Sequence, residues 1–317
     1  MPLPFESVQR KILIKKDSVG HLGKHVSERS TEEIIHYGII NLDKPAGPTS
    51  HQACEYVKNI FKLSKAGHSG TLDPNVTGVL PVALGRATRI VQIVLPAGKE
   101  YIALMHLHQP VEEKQLMKVL ADFTGAIRQK PPLKSAVRRV ERTRTIYYLE
   151  ILEIQEQDIL FRVGCQAGTY IRKLCHDIGK KLGIGAHMQE LRRTKAGPFD
   201  ESTTYSLQDI TDAFWYYTNK QQDTFLRKII QPVENALQHM LCIWVLDNCV
   251  GSLLHGIDLK VPGISKLHDG ICKEMTVAVK TLKEELVAIG TARMSSKEIM
   301  DQENGVAVNI HKVFMQT

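Results

Sequence analysis

None of the cysteines in this chain is spaced C-x-x-C, and no histidine pair completes a zinc pattern, although Cys54, Cys165, Cys175, Cys242, Cys249 and Cys272 are all present. That removes a structural zinc site from consideration and leaves buried free thiols in a reducing compartment as the expectation. His106 and His108 would share one face of a strand. Two histidines without further ligands do not make a metal site, and no metal or other cofactor is expected. No apolar run is long enough to span a membrane, so no membrane partner is expected. The opening PLPFESVQRKILIKK has no apolar h-region. A secretory signal is therefore not expected, and the cytoplasm is the default location. The phosphate-cradling pattern G-x-x-x-x-G-K-[ST] is missing, which argues against an NTPase. Tandem repeats, low-complexity tracts and heptads are missing as well.

What remains is an ordinary globular composition. The 317 residues are 43% hydrophobic and 24% charged, enough for about two domains at roughly 100–200 residues each. Lys and Arg outnumber Asp and Glu by 41 to 34, a net charge of +7. The excess is concentrated. Between Arg128 and Arg144 there are seven basic residues and one acid, and between Arg172 and Lys195 seven basic residues and two acids. Clustered positive charge is the electrostatic footprint of a polyanion partner; the competing reading is a solubilising surface.

Residues 1–36 are polar and read as an arm that packs on something else, expected to be the C-terminal domain. A short apolar strand is expected at Tyr37–Leu42, followed by a loop forced by Pro45, Gly47 and Pro48. Thr49, three residues before Gln52, marks a helix start by a capping box, and Ala53, Val57 and Ile60 recur at helical spacing. Strands are expected at Lys99–Leu107, Thr145–Ile151 and Ile159–Cys165. A helix is expected over about Tyr170–Leu182, with Ile171, Leu174, Ile178 and Leu182 as its apolar stripe. Pro198–Tyr205 reads as a linker, and Ser206 with Asp209 as the start of another helix. From about Leu241 the pattern turns to short strands and turns. Met275, Val277 and Val279 alternate, and 241–317 reads as a small, mostly β domain.

The most unusual segment is GHSGTLDPNVTGVLPVALGRATRI, residues 67–90. A Gly-rich loop from Gly67 to Gly78 surrounds one carboxylate, Asp73. Gly67 and Gly70 admit backbone angles closed to other residues. Pro74 fixes the chain after Asp73 and biases Asp73 away from helical angles. Such a carboxylate is held out and aimed. The competing reading is a structural turn closed by an Asx hydrogen bond.

This segment resembles the signature loop of the TruB family of pseudouridine synthases, G-H-x-G-x-L-D-P-x-A/V-T-G-x-L. KPAGPTS at 44–50 looks like that family's first motif, and CQAGTYIRKLCHDIGKKLGIGAH at 165–187 like its third. The three arrive in the family's order and span about 37–200. KPPLKSAVRRVERTRTIYYLEI at 130–151 and AHMQELRRTKAGPF at 186–199 are closest to the archaeal and eukaryotic dyskerin branch. HGIDLKVPGI and VAIGTARMSS resemble a PUA domain, an RNA-binding β-barrel module. Departures fall in that module: Lys273-Glu274-Met275 stands where a glycine-aspartate turn is usual, and Glu284 where a glycine is. The sequence stops at Thr317 without a Lys/Glu-rich tail, so an archaeal-type protein is expected.

The resemblance implies an α+β fold: a mixed, mostly antiparallel sheet with flanking helices, plus a small C-terminal β-barrel. The implied domains are an arm at 1–36, a pseudouridine synthase domain at 37–238 and a PUA domain at 239–317. It further implies isomerisation of uridine to pseudouridine with Asp73 as the catalytic carboxylate. Arg172 is its implied ion-pair partner, since an Arg can hold a carboxylate through two parallel hydrogen bonds and keep it ionised where water is scarce. Tyr101 matches the active-site tyrosine, placed to stack on the target base. His68 matches the histidine that fills the gap left by a flipped base. Tyr170 and Leu191 match residues lining the base pocket, and Lys44 and Arg193 would support the loop and the phosphates. The implied partners are tRNA, whose T-loop uridine is one target, or rRNA selected by a box H/ACA guide RNA, together with three small proteins of that ribonucleoprotein. A catalytically idle RNA-binding scaffold is the alternative; it would need none of Asp73, Tyr101 and Arg172.

Overall fold

The computed structural model describes residues 2–131, 138 and 140–316. The first basic stretch and the segment 130–151 both run across 132–137 and 139, which lie outside the described residues. Contacts divide the chain into two compact units, one made of Met1–Ser7 and Ile39–Gln231, the other of Val8–Gly38 and Pro232–Thr317. Its longer elements begin with β1 (Ile12–Ile14), α1 (Thr31–His36), β2 (Gly38–Lys44), α2 (Ser50–Ile60), β3 (Ala66–His68), β4 (Thr77–Leu84), α3 (Val91–Val94) and β5 (Lys99–Leu107). They continue with α4 (Glu113–Ala121), β6 (Gly125–Gln129), β7 (Arg142–Gln155), β8 (Asp158–Cys165), α5 (Ile171–Leu182), β9 (Ala186–Ala196), β10 (Phe199–Asp200), α6 (Leu207–Lys220) and α7 (Thr224–Ile229). The remainder are β11 (Ile230–Pro232), β12 (Cys242–Val245), α8 (Asp247–Leu254), β13 (Leu259–Lys260), β14 (Ile264–His268), β15 (Thr276–Thr281), β16 (Leu286–Ala292), α9 (Ser296–Asp301) and β17 (Val306–Val313).

The first unit is built on a ten-stranded sheet in the order β11-β2-β4-β9-β5-β8-β7-β6, with β10 paired to β9 and β3 to β4. From β2 through to β6 neighbouring strands run antiparallel except where β4 meets β9. Helix α5 lies on this sheet because Ile171, Leu174, Ile178 and Leu182 recur on one face, and all four are buried with Ala103, Met105, Phe161 and Val163 of β5 and β8. Arg172, off that face, is turned away from the core and exposed. Gly183 in the left-handed conformation ends the helix. Helix α2 starts as expected, with Thr49 as N-cap and Gln52 closing the capping box.

Two expectations need correction. The glycine-rich loop is shorter than Gly67–Gly78, since β3 takes in Ala66–His68 and β4 begins at Thr77. Pro198–Tyr205 is not a linker. Phe199 is buried, β10 pairs with β9, and buried Asn41 donates to Asp200 O at 2.7 Å and to Thr203 Oγ at 2.9 Å. A buried amide far upstream in the chain satisfies backbone that composition alone left looking free.

The second unit carries a seven-stranded mixed sheet, β1-β14-β12-β15-β16-β17-β13. The two departures from the PUA pattern sit where glycine would be easiest: Glu274 has φ 66° and Glu284 φ 69°. Each acid is tied down by a cation, Glu274 by Arg293 at 2.7 Å and Glu284 by Lys280 at 3.3 Å. Glu284 also accepts from the Trp244 indole at 2.7 Å. Left-handed backbone at a non-glycine residue costs about 1–2 kcal/mol, and these contacts offset it.

His268 gives this unit a pH dependence. Its Nδ1 accepts from Cys242 N at 2.9 Å, and burial, with Arg10 and Lys280 nearby, lowers its pKa to about 4. The unfolded chain takes up this proton near pH 6.5, the folded chain only near 4. Stability from this group is therefore complete above pH 6.5 and is lost as pH falls toward 4, by up to about 3 kcal/mol. Urea unfolding at pH 7.5 and 5.0 should show a larger loss in the wild type than in His268→Asn. Equal losses would show that His268 is not the group responsible.

Candidate active site

Asp73 stands on an eight-residue loop between β3 and β4, and the backbone on both sides of it is fixed by the segment 44–50. Buried Lys44 donates from Nζ to three carbonyls, Pro45 O at 2.8 Å and Pro74 O and Val76 O at 2.9 Å. Gly47 N donates to Pro74 O at 3.0 Å. On the other side the Ser50 hydroxyl accepts from Leu72 N at 2.8 Å and donates to Leu72 O at 3.1 Å. Within the loop, Val76 N donates to Asp73 O. Gly70, at φ +110°, makes the turn that a side chain would strain. Gly78 has a second reason to be glycine: a Cβ there would stand 2.2 Å from Arg193 O. Gly67 keeps ordinary backbone angles, contrary to the role expected of it.

The Asp73 carboxylate accepts a hydrogen bond from Arg172 Nη2, across 99 residues of sequence. Arg172 is the second residue of α5, whose first turn is set by Gln129. That side chain accepts from Tyr170 N at 3.0 Å and donates to Tyr170 O at 3.1 Å. The pair is open to water, with Asp73 53% and Arg172 56% exposed, so the water-poor setting expected for it is not a property of the chain by itself. An ion pair so exposed is worth about 0–1 kcal/mol; it strengthens when something displaces its water.

The other expected residues gather around the loop. Tyr101 on β5 faces Arg193 on β9 across a ladder that slips register between Glu100 and Tyr101, the kind of irregularity that re-aims a side chain. Leu191 pairs with Ala103 on the same two strands, and Tyr101 and Leu191 both pack at the margin of the core. Burial raises the Tyr101 pKa, opposed by the adjacent Arg193, and the charge of Asp73 raises it further. The phenol is therefore neutral at ordinary pH. His68 on β3 is partly buried, and burial lowers its pKa, so it too stands neutral. Its Nδ1 is shielded from solvent and has no hydrogen-bond partner among the described residues.

Lys44 and Arg193 support the loop, but neither offers a cation to a phosphate. Lys44 is 0% and Arg193 1% exposed. Arg193 donates from Nε to Val79 O at 2.7 Å, reaches Gly70 O at 3.5 Å and lies beside the Tyr101 phenol. The second basic stretch is likewise largely neutralised. Lys173 pairs with Asp177, Lys181 with Asp122, Arg192 with Asp43 and Glu201, and Lys195 with Glu6. Its sequence charge therefore overstates the field it presents. His106 is held by Asp158 at 2.7 Å and His108 by His187 at 3.0 Å. Among the described residues no group of three or more His, Cys, Asp or Glu is placed to hold a metal ion. All six cysteines are free, and burial pushes Cys165 and Cys175 up to about 12. Among the described residues no helix is long and apolar enough to cross a membrane.

Ser50 and Gln129 were not expected at this site. Ser50 lies within KPAGPTS, so the motif held the signal without saying what the hydroxyl binds. Gln129 carries no signal in the sequence.

Comparison with known proteins matches the chain to family models along most of its length. Residues 58–171 match the TruB family pseudouridylate synthase N-terminal domain and 172–238 the tRNA pseudouridylate synthase B C-terminal domain. Residues 242–314 match the PUA domain and 6–54 the DKCLD domain. The probable tRNA pseudouridine synthase B of Pyrococcus furiosus is 52% identical over 312 residues, 97% of this chain and 92% of that protein. The one from Nanoarchaeum equitans is 50% identical over 317 residues, 99% and 91%. Among solved structures, a Cbf5-Nop10-Gar1 complex contains a chain 51% identical, with TM-score 0.94, covering 99% of this chain and 96% of that one. An H/ACA RNP bound to a substrate RNA containing 2'-deoxyuridine contains one 48% identical, with TM-score 0.92, covering 99% and 98%.

Proposed function

The chain belongs to the TruB family of pseudouridine synthases, and from that premise we propose that Asp73 is the carboxylate with which it isomerises uridine to pseudouridine in RNA. The observation that carries the assignment is the Asp73–Arg172 ion pair at the tip of a loop braced on both sides. The reaction breaks the C1′–N1 bond, turns the base and joins C1′ to C5; C5 loses a proton and N1 gains one, so nothing is consumed. Attack on the sugar, attack on the base, and removal of a sugar proton all need an ionised carboxylate. The guanidinium of Arg172 aims that carboxylate through the hydrogen bond they share.

The target nucleotide has to leave its stack to reach Asp73. A base seated over the pair excludes water there, and the Coulomb attraction that is weak in the open chain grows as the dielectric falls. Tyr101, with a neutral phenol, suits stacking on the base. Leu191 and Tyr170 line the pocket, and neutral His68 fills the space the base vacates. Lys44 and Arg193 hold the loop and the Tyr101 strand in place.

The RNA is tRNA, rRNA paired to a box H/ACA guide, or both. These substrates follow from relatives named as probable tRNA pseudouridine synthase B and from similar chains solved in a Cbf5-Nop10-Gar1 complex, in an H/ACA RNP bound to a substrate RNA and in a box H/ACA sRNP Nop10-Cbf5 complex. The same small proteins are its partners here, and the cytoplasm its place of work. The test is to map pseudouridine in tRNA and in guided target RNA after incubation with the purified chain, with and without guide and partner proteins. Product is expected in at least one arm. Tight RNA binding with no product in any arm would leave a scaffold and end the enzyme assignment.

A further inference from the structure

Resting on that reading of Asp73, we infer that Ser50 is a positioning residue for the catalytic carboxylate, acting through the Leu72 peptide. Its hydroxyl is 1% exposed and meets both polar groups of Leu72, the residue before Asp73. One side chain thus does for Leu72 what a paired strand would do, from 22 residues upstream. Ser50 is itself rigid, because it opens α2 immediately after the Thr49 capping box and because Ala53, Cys54 and Val57 bury that helix.

The geometry gives Asp73 a bracket. On its C-terminal side Pro74 O is taken by Lys44 Nζ and Gly47 N; on its N-terminal side Leu72 is taken by Ser50. The Asp73 side chain is half exposed and hydrogen-bonds Arg172, so its direction depends as well on backbone fixed at both neighbours. Removing the hydroxyl frees the N-terminal side only. Leu72 N–H and C=O then stay buried without that partner, or the loop opens to hydrate them. Either way the carboxylate spends less time aimed at the site of cleavage. A misplacement of about 1 Å can cost on the order of 100-fold in rate.

The experiment compares Ser50→Ala with Val57→Ala in the full chain. Val57 is fully buried on the same helix and its side chain has no hydrogen-bonding group to lend the bracket, so it serves as a control for lost stability. Single-turnover pseudouridine formation and RNA Kd are measured on the substrate that the wild type modifies. Hydrogen exchange is followed across 69–76. For Ser50→Ala the rate should fall roughly 10- to 100-fold with Kd within about twofold, and Leu72 should exchange faster. For Val57→Ala the rate should stay within about threefold of the wild type although the melting temperature falls. Equal rate losses in the two variants, or a Ser50→Ala rate within about threefold of the wild type, would overturn the inference. Should the wild type form no pseudouridine, the function falls first, and exchange decides Ser50 alone: unchanged protection at Leu72 rejects it.

Discussion

Asp73→Asn should leave essentially no pseudouridine, a fall of at least about 10³-fold in single-turnover rate, with RNA affinity unchanged to within about twofold. The substitution is nearly isosteric. An amide oxygen still accepts from Arg172, Pro74 still follows, and the clamps from Lys44 and Ser50 hold backbone rather than the carboxylate. What disappears is the negative charge, and each route to cleaving the C1′–N1 bond draws on that charge. The C5 proton is released in the reaction, so loss of tritium from RNA labelled at uridine C5 reports turnover directly. Tritium release at the wild-type rate would remove Asp73 from the chemistry. Slowed release matched by equally weakened binding would make it a binding residue instead.

The second large effect concerns stability. Arg29 and Glu234 form a two-pronged pair in the second unit, Nη1 to Oε2 at 2.9 Å and Nη2 to Oε1 at 2.7 Å, with exposures of 4% and 7%. Leu286 N donates to the same carboxylate at 3.1 Å. Burial lowers the Arg29 pKa while Glu234 and Glu285 raise it, and the net direction is up: this guanidinium stays charged. Glu234→Ala leaves a buried cation without that partner and should destabilise the unit by about 3–5 kcal/mol. For a unit of this size that corresponds to a melting temperature lower by roughly 12–20 °C. Replacing both partners with apolar residues, Arg29→Met with Glu234→Leu, removes the orphaned charge and should recover most of the loss. A Glu234→Ala variant within about 1 kcal/mol of the wild type in urea unfolding would show that the pair contributes little.

The elements that local rules specify were legible in advance, because their causes lie within a few residues of each other. The Thr49 capping box starts α2 where Gln52 allows it. The stripe Ile171, Leu174, Ile178 and Leu182 sets the buried face of α5, and alternation marks β8. Gly70, Asp73 and Pro74 announce a turn that presents a carboxylate. The family resemblance supplied Arg172 as its partner; no local rule could, because the two residues are 99 positions apart. Charge was the least reliable guide. A stretch of seven cations and two acids looked like a phosphate-binding face, yet Asp43, Asp122, Glu6 and Glu201, none of them in that stretch, answer three of those cations.

By itself, then, the amino-acid order marked where α2, α5 and β8 form, which face of α5 is buried, and that one acid is carried on a glycine-bounded turn. Tertiary structure alone decided that Ser50 and Lys44 grip the residues on either side of that acid, that Arg193 is buried beneath Tyr101 rather than offered to RNA, and that the Asp73–Arg172 pair lies open to water. Periodicity, capping and turn chemistry act over one or two turns of chain. Burial and ion pairing depend on which distant strands become neighbours, and strand order follows from packing the whole sheet at once.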